Sequence, residues 1–370
     1  MTDEHLLQWV EYGETVQAAW LSESRHPAPK TLCAVEHISA DDALRLMRAD
    51  TALVWRGDYH QAKQLLSAIK KRVRAKAKQP DDFHRHRLQQ AQQSRLFQML
   101  LLVVSPGFQL NNARAPDVQA ALTDVYGAGH RLPFLLPLHL LLGFIGAHEW
   151  HKTGVSVQAL GGAKIHVPYG VFSPVRGEYV DLVAQAELPK GCHTAWDIGT
   201  GSGVLAAVLA KRGVAQIIGT DTNPRAILCA EDNMRHLDCA PQVRIVATDL
   251  FPSGYADLIV CNPPWLPAKP TADIETALYD PQHAMLKAFL ADAAEHLNAG
   301  GQVWLIMSDL AEHLGLRAPD DLRKWINAAG LRVLTKIETL PQHPKAQQRH
   351  DPLHHARSRE VTSLWQLVPA

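Results

Sequence analysis

The sequence predicts an α/β protein with a mostly parallel sheet, helices on both faces, over residues 191–370. A mainly helical domain precedes it over 1–150, with a hairpin linker over 151–190. Three observations lead there. After Gly191, short apolar runs (TAWDI, QIIGTD, VRIVATD, ADLIVCNPPW, QVWLIM) alternate with helical segments (VLAAVLAKRG, PRAILCAEDNMRHL, HAMLKAFLADAAEHL), the alternation that parallel strands joined by crossover helices require. Before Glu149 the apolar residues recur instead at three and four spacing. The 370 residues suffice for two domains at about 150 residues each.

Taken in order, HLLQWVEY, DDALRLMRA, YHQAKQLLSAIKKRV and RLFQMLLLVV all read as helices. The most apolar stretch, Leu132 to Ala147, carries two prolines and His139 and falls short of the roughly 20 residues that cross a bilayer, so it reads as buried helix. GVSVQALGGAKIHV alternates either side of Gly161 and Gly162, the pattern of a two-stranded hairpin. Asn223 before Pro224 reads as the start of a helix, and Gly213 as the end of the one before. LRVLTKIETL and VTSLWQLV read as two strands joined by a long polar loop, PQHPKAQQRHDPLHHARSR.

Composition narrows the classes further. The chain is 46% apolar and 20% charged, with 37 basic and 37 acidic residues, so it folds as a globular protein and carries no net field for polyanions. Its five scattered cysteines include no C-x-x-C pair, and the acidic start MTDEHLLQWVEY is not an export signal, so a reducing cytoplasm and no membrane are expected.

The strongest motif is DIGTGSGVL, Asp197 to Leu205, at a strand-to-helix junction. Glycines there let backbone approach a ligand closely, and the helix start exposes N–H groups. Val204 stands where a dinucleotide fingerprint needs Gly or Ala, and the G-K-[ST] ending of a phosphate loop is absent. What remains, acid-x-Gly-x-Gly-x-Gly, resembles motif I of the class I S-adenosylmethionine-dependent methyltransferases. The resemblance implies a Rossmann-like sheet with an antiparallel last strand and S-adenosyl-L-methionine as cofactor. It further implies Asp197, Gly199, Gly201 and Gly203 beneath the methionine and ribose, Asp221 on the ribose hydroxyls and Asp249 at the adenine. A tight glycine turn with two ordinary strand-end aspartates is the plain alternative.

IVCNPPW, Ile259 to Trp265, ends the fourth strand of that sheet and resembles the [ND]-P-P-[FYW] signature of methyltransferases acting on a planar nitrogen. Such a nitrogen has a delocalised lone pair, so its hydrogens must be held while the lone pair turns to the methyl. The resemblance implies that the Asn262 side-chain oxygen and the Pro263 carbonyl accept those hydrogens and that Trp265 stacks on the target, with no metal required. A rigid proline turn with an apolar anchor is the alternative. GVFSPVRGEYVDLV, Gly170 to Val183, resembles the lead-in of the HemK-like glutamine methyltransferases and the GVFS stretch of small-domain enzymes that modify guanine in ribosomal RNA. Pro174, Arg176 and Glu178 are its candidate pocket residues, with Arg176 assigned to the cofactor; a surface pair at a helix start is the alternative reading.

Two features bear on the substrate. Residues 63–95 hold ten basic residues (Lys63, Lys70, Lys71, Arg72, Arg74, Lys76, Lys78, Arg85, Arg87, Arg95) against Asp81 and Asp82, a run suited to phosphate backbones or to a solvated helix face. The late loop carries His343, Lys345, Arg349, His350, His354, His355, Arg357 and Arg359 and is expected on the same rim as NPPW. The expectation is a macromolecular methyl acceptor, RNA favoured over protein, with an exocyclic amine of a nucleobase as target. The alternatives are a glutamine amide in a translation factor or ribosomal protein, adenine in DNA, and a non-catalytic cofactor-binding scaffold.

Overall fold

The computed structural model describes residues 5–76, 82–129, 132–175, 177–270, 272–341 and 353–370. Arg176, Lys78 and Asp81, and His343, Lys345, Arg349 and His350 of the late loop lie outside the described residues. The chain divides into two units, Met1–Glu149 with Thr271–Asp273, and Trp150–Pro270 with Ile274–Ala370.

The first unit contains a sheet that the periodicity did not reveal. Its strands are β1 (Leu6–Glu11), β2 (Glu14–Trp20), β3 (Thr31–Val35), β4 (Thr51–Trp55), β5 (Leu100–Ser105), β6 (Gln109–Leu110) and β7 (Phe134–Pro137), in the order β1-β2-β7-β5-β4-β3, with β6 paired to β5. Its helices are α1 (Ala40–Arg48), α2 (Tyr59–Ala75), α3 (Phe83–Phe97), α4 (Gln119–Tyr126) and α5 (Leu138–Thr153), the last extending past the division. Helices outnumber strands in residues, and α1 and α2 fall where predicted, but three helical expectations are corrected. HLLQWVEY is β1: Leu7 and Trp9 are buried while Leu6, Gln8 and Val10 are exposed, and Tyr12 and Gly13, both at positive φ, turn the chain back as a two-residue hairpin. RLFQMLLLVV is the end of α3 followed by β5, whose first three residues are buried; a fully buried strand has no period-two signal to betray it. Leu132 to Ala147 is likewise strand first, β7, then helix.

In the second unit, β8 (Val155–Ser156) and β9 (Lys164–Ile165) pair antiparallel around Gly161, which adopts the left-handed conformation, so the linker is a short hairpin. Helix α6 (Glu178–Gln185) follows. The main sheet then runs through β10 (Thr194–Ile198), β11 (Gln216–Asp221), β12 (Val243–Ala247), β13 (Ala256–Cys261), β14 (Leu297–Ser308), β15 (Leu331–Thr339) and β16 (Thr362–Pro369). Between strands lie α7 (Val204–Lys211), α8 (Pro224–His236), α9 (Ala284–Ala293), α10 (Leu310–His313), α11 (Asp321–Ala328) and α12 (His354–Arg357). Strand order is β12-β11-β10-β13-β14-β16-β15; β10 to β14 are parallel, and β16 runs antiparallel between β14 and β15.

The central strands are buried on both faces, and their side chains alternate between two cores. Leu258 and Val260 join Trp304 and Ile306 against α6 and α7, whereas Ile259 and Cys261 join Leu305 and Met307 against α9 and α11. Burying a Leu or Phe in such a layer stabilises by about 1.5–3 kcal/mol, which holds the strand ends in fixed register. The order reverses at β10, whose neighbours are β11 and β13; in an open α/β sheet the crevice outside the carboxyl ends of the strands there receives ligands. Among the described residues no helix is long and apolar enough to cross a membrane.

Candidate active site

A cavity of about 510 Å³ opens at that reversal point. Its floor is the turn from β10 into α7. Gly199 and Gly201 line the cavity at φ +69° and +55°, and a Cβ on either would meet no atom closer than 3.7 Å: the missing side chains leave a cradle open to a ligand. Gly203, assigned to the cofactor from the sequence, is not among the lining residues. Its φ is +79°, and an added Cβ would lie 2.9 Å from Met234 Cε and 3.2 Å from Ala230 Cβ, so this glycine serves the close approach of α7 and α8.

Acids sit at or just past the ends of β10, β11 and β12. Asp197 is 1% exposed, and its Oδ2 accepts from Thr200 Oγ1 at 2.7 Å and from the Ala206 backbone N–H at 3.1 Å. Burial pushes its carboxyl up to about 6 against those two hydrogen bonds, with the Asp221 charge adding to the rise. Asp221 accepts from the Gly201 N–H at 3.0 Å and the Asn223 N–H at 2.9 Å, which ties the end of β11 to the glycine loop. Asp249 lines the cavity past β12 and is exposed. The lead-in segment reaches the same cavity through Gly170, Val171, Phe172 and Tyr179, with Asn223 Nδ2 donating to the Gly170 carbonyl at 3.2 Å. Pro174 and Glu178 are buried and are not among the lining residues.

Across the cavity, β13 delivers Asn262, Pro263, Pro264 and Trp265 to the rim. Trp265 is half-buried against both cores and donates its indole N–H to Asn262 Oδ1 at 3.0 Å. An indole can only donate, so this bond fixes which end of the Asn262 amide is oxygen. The Cys261 thiol beside it is fully buried, which pushes it well above its ordinary value and leaves it inert as a nucleophile. The chain from Leu266 folds back through a bridge to Tyr279, and Thr276 to Tyr279 close that side. Asp280 then caps α9 by accepting from the Met285 and Leu286 N–H groups, both at 3.0 Å, which sets Met285 in the cavity wall.

Two lining residues, Met285 and Glu360, carried no sequence signal. Tyr179 falls in the lead-in segment without a role assigned to it there, and Arg357 of the late loop and Glu360 come from the chain just before β16. Of the late loop, therefore, the described end reaches the same cavity as NPPW.

The strand order and the cavity at its reversal point have the arrangement expected from the sequence motifs. Residues 163–318 match the family profile of the methyltransferase small domain. The chain is 31% identical over 138 residues to ribosomal protein L11 methyltransferase of Aliivibrio fischeri, covering 37% of this chain and 44% of that one. It is 33% identical over 164 residues to release factor glutamine methyltransferase of Mycolicibacterium smegmatis, covering 40% and 58%. Among solved structures it resembles ribosomal protein L11 methylase from Lactobacillus delbrueckii subsp. bulgaricus, with TM-score 0.37 and 20% identity over 55% of this chain and 85% of that one. The chain spans about half the length of the curated relatives it matches. These relatives are named for protein substrates, so the expectation that RNA is favoured over protein finds no support in them.

Proposed function

We propose that this protein transfers a methyl group from S-adenosylmethionine to the side-chain amide nitrogen of a glutamine in a protein substrate. The observation that carries the reading is the Asn262-Pro263-Pro264-Trp265 turn on the rim of the cavity, with the Asn262 oxygen oriented by the Trp265 indole. The names of the glutamine methyltransferase relatives support it.

The bound cofactor supplies an electrophilic methyl on a sulfonium leaving group. Everything else falls to the chain. Gly199 and Gly201 would admit the methionine and ribose, and Asp221 would accept from the ribose hydroxyls. Asn262 Oδ1 has two lone pairs; the indole takes one, and the other accepts one hydrogen of the target amide. The Pro263 carbonyl accepts the second. With both hydrogens held in plane, the nitrogen lone pair is turned toward the methyl, and the two acceptors stabilise the positive charge that develops there. With the cofactor bound, the amide nitrogen held by Asn262 and Pro263 would take the methyl, and the N–H proton it sheds would pass to solvent water. In-line alignment supplies much of the remaining barrier reduction.

An exocyclic amine of an RNA base fits the same acceptor pair, and the basic run between residues 63 and 95 favours it. In the folded unit three of those cations meet aspartates: Arg72 meets Asp41 at 3.0 Å, Arg95 meets Asp50 at 2.6 Å, and Arg85 meets Asp82 at 3.7 Å. The run is correspondingly less available to phosphates.

The test is transfer of labelled methyl into a lysate of cells lacking this protein, with wild type and Asn262→Ala side by side, divided by nuclease and by protease. Asn262-dependent label that resists nuclease and is lost to protease is the expected result. Label lost to ribonuclease overturns the glutamine reading in favour of RNA.

A further inference from the structure

Two side chains from outside the glycine loop hold its backbone. One is Asp221, which accepts the Gly201 N–H. The other is Asn233 of α8, 0% exposed and outside both motifs. Its Nδ2 donates to the Ser202 carbonyl and to the His166 carbonyl, both at 3.0 Å, and its Oδ1 accepts the His166 N–H at 2.8 Å. Carbonyls only accept, so these bonds fix which end of the amide carries the hydrogens. Thr200, Gly201 and Ser202 line the cavity; Asn233 is not among the lining residues and reaches it through Ser202.

The bond acts on one peptide plane. The Ser202 carbonyl and the Gly203 N–H belong to the same peptide, and that N–H donates to the Thr200 carbonyl at 2.9 Å. Tethered at both edges, the peptide turns over only by giving up two hydrogen bonds among buried residues, and in this orientation it leads through Gly203 at φ +79° into α7. Asn233 has a fixed support of its own. His166, the residue after β9, gives it both backbone groups, and the His166 ring donates from Nδ1 to the His151 carbonyl at 2.7 Å. The hairpin linker and α8 therefore carry the loop together.

Resting on S-adenosylmethionine as the ligand of this cavity, we propose that Asn233 is a positioning residue for it: the side chain holds the glycine loop in the receiving conformation before the ligand arrives. A loop that samples other peptide orientations binds with its affinity reduced by the fraction of time it is competent. Loss of Asn233 therefore weakens cofactor binding, whereas the complex, once formed, has the wild-type loop and turns over at the wild-type rate. The identity of the methyl acceptor does not enter the inference.

The test compares Asn233→Ala with Leu237→Ala, a truncation in the same core at the end of α8 and outside the cavity lining. S-adenosylhomocysteine affinity is measured by calorimetry, melting temperature by circular dichroism, and KM for S-adenosylmethionine and kcat by labelled methyl transfer into a lysate of cells lacking this protein. Both variants are expected to melt below wild type. Only Asn233→Ala is expected to bind S-adenosylhomocysteine more weakly, about tenfold, the scale of one net hydrogen bond, with KM for S-adenosylmethionine raised in step and kcat retained. Asn233→Ser, which returns one hydroxyl donor, is expected to recover part of the affinity, and it takes the place of Asn233→Ala, with the same split expected, should that chain fail to fold. Wild-type affinity in the folded Asn233 variant, or an equal loss in Leu237→Ala, overturns the assignment alone. Failure of the wild type to bind S-adenosylhomocysteine overturns the cofactor reading, and this assignment with it.

Discussion

The Trp265 indole N–H donates to Asn262 Oδ1 across 3.0 Å, so two residues of one four-residue turn fix each other at the mouth of the cavity. The sequence assigned Trp265 only a stacking role. The hydrogen bond adds orientation: it presents the amide oxygen, and not the NH₂, in a defined direction, and it is a bond that neither Phe nor Tyr at this position makes with an indole nitrogen.

Trp265→Phe keeps an aromatic surface and removes that donor. The net worth of a neutral hydrogen bond is about 1 kcal/mol, so kcat falls about fivefold as the Asn262 amide samples its flipped orientation. S-adenosylhomocysteine affinity, measured by calorimetry, stays at the wild-type value. A kcat equal to wild type would show that the bond does not orient the catalytic oxygen.

Asp197 sets a pH dependence whose sign can be worked out. Its folded-state carboxyl lies near 6, above the ordinary value of 3.8, so the favourable contribution of the protonated form is complete below about pH 4 and is lost as pH rises through 6. Asp197→Asn retains an oxygen for the two bonds that fall on Oδ2. Thermal melts are therefore expected to show the variant matching or exceeding wild type at pH 7, with the difference shrinking toward pH 4. Cofactor affinity moves the other way, since the cationic ligand favours the ionised acid. Wild-type S-adenosylmethionine binding weakens below pH 6, by at most tenfold per pH unit, and Asp197→Asn flattens that slope.

Two glycines of one loop separate stability from binding. Gly203→Ala forces a side chain into φ +79° and against Ala230 in α8, which is expected to destabilise the domain by about 1–3 kcal/mol in urea unfolding. Gly201→Ala also meets backbone strain at φ +55°, but its Cβ meets only the Gly199 carbonyl oxygen at 3.9 Å and stands at the cavity proposed for the cofactor. Its larger effect is a loss of S-adenosylhomocysteine affinity.

That Asp197, Gly199, Gly201, Asp221 and Asp249 share one cavity was legible because that wall is built from local chemistry. Asp197, Gly199 and Gly201 lie within five residues, and Asp221 and Asp249 each close a short apolar run. The acceptor side was legible only at NPPW. Glu360 precedes an ordinary strand, and only the pairing of Ser308 with Thr362 brings it to the cavity. The sheet of the first unit was hidden for a different reason: β5 and β7 are buried and lack alternation, and the alternation in β1 was masked by apolar Leu6 and Val10 on its exposed face. The lean toward RNA came from counting charge along the chain. Asp41 and Asp50, which meet Arg72 and Arg95, fall outside the basic run and are added to it by folding.

The measurement that bears most directly on the glutamine reading is the chemical identity of the methylated product. Protein labelled by the wild type would be digested to free amino acids with proteases, which spare the amide, and resolved by mass spectrometry. The account predicts a single product, N-methylglutamine, formed by wild type and reduced at least about a hundredfold by Asn262→Ala. Label recovered as a methylated nucleoside, or N-methylglutamine formed equally well without the Asn262 side chain, would contradict it.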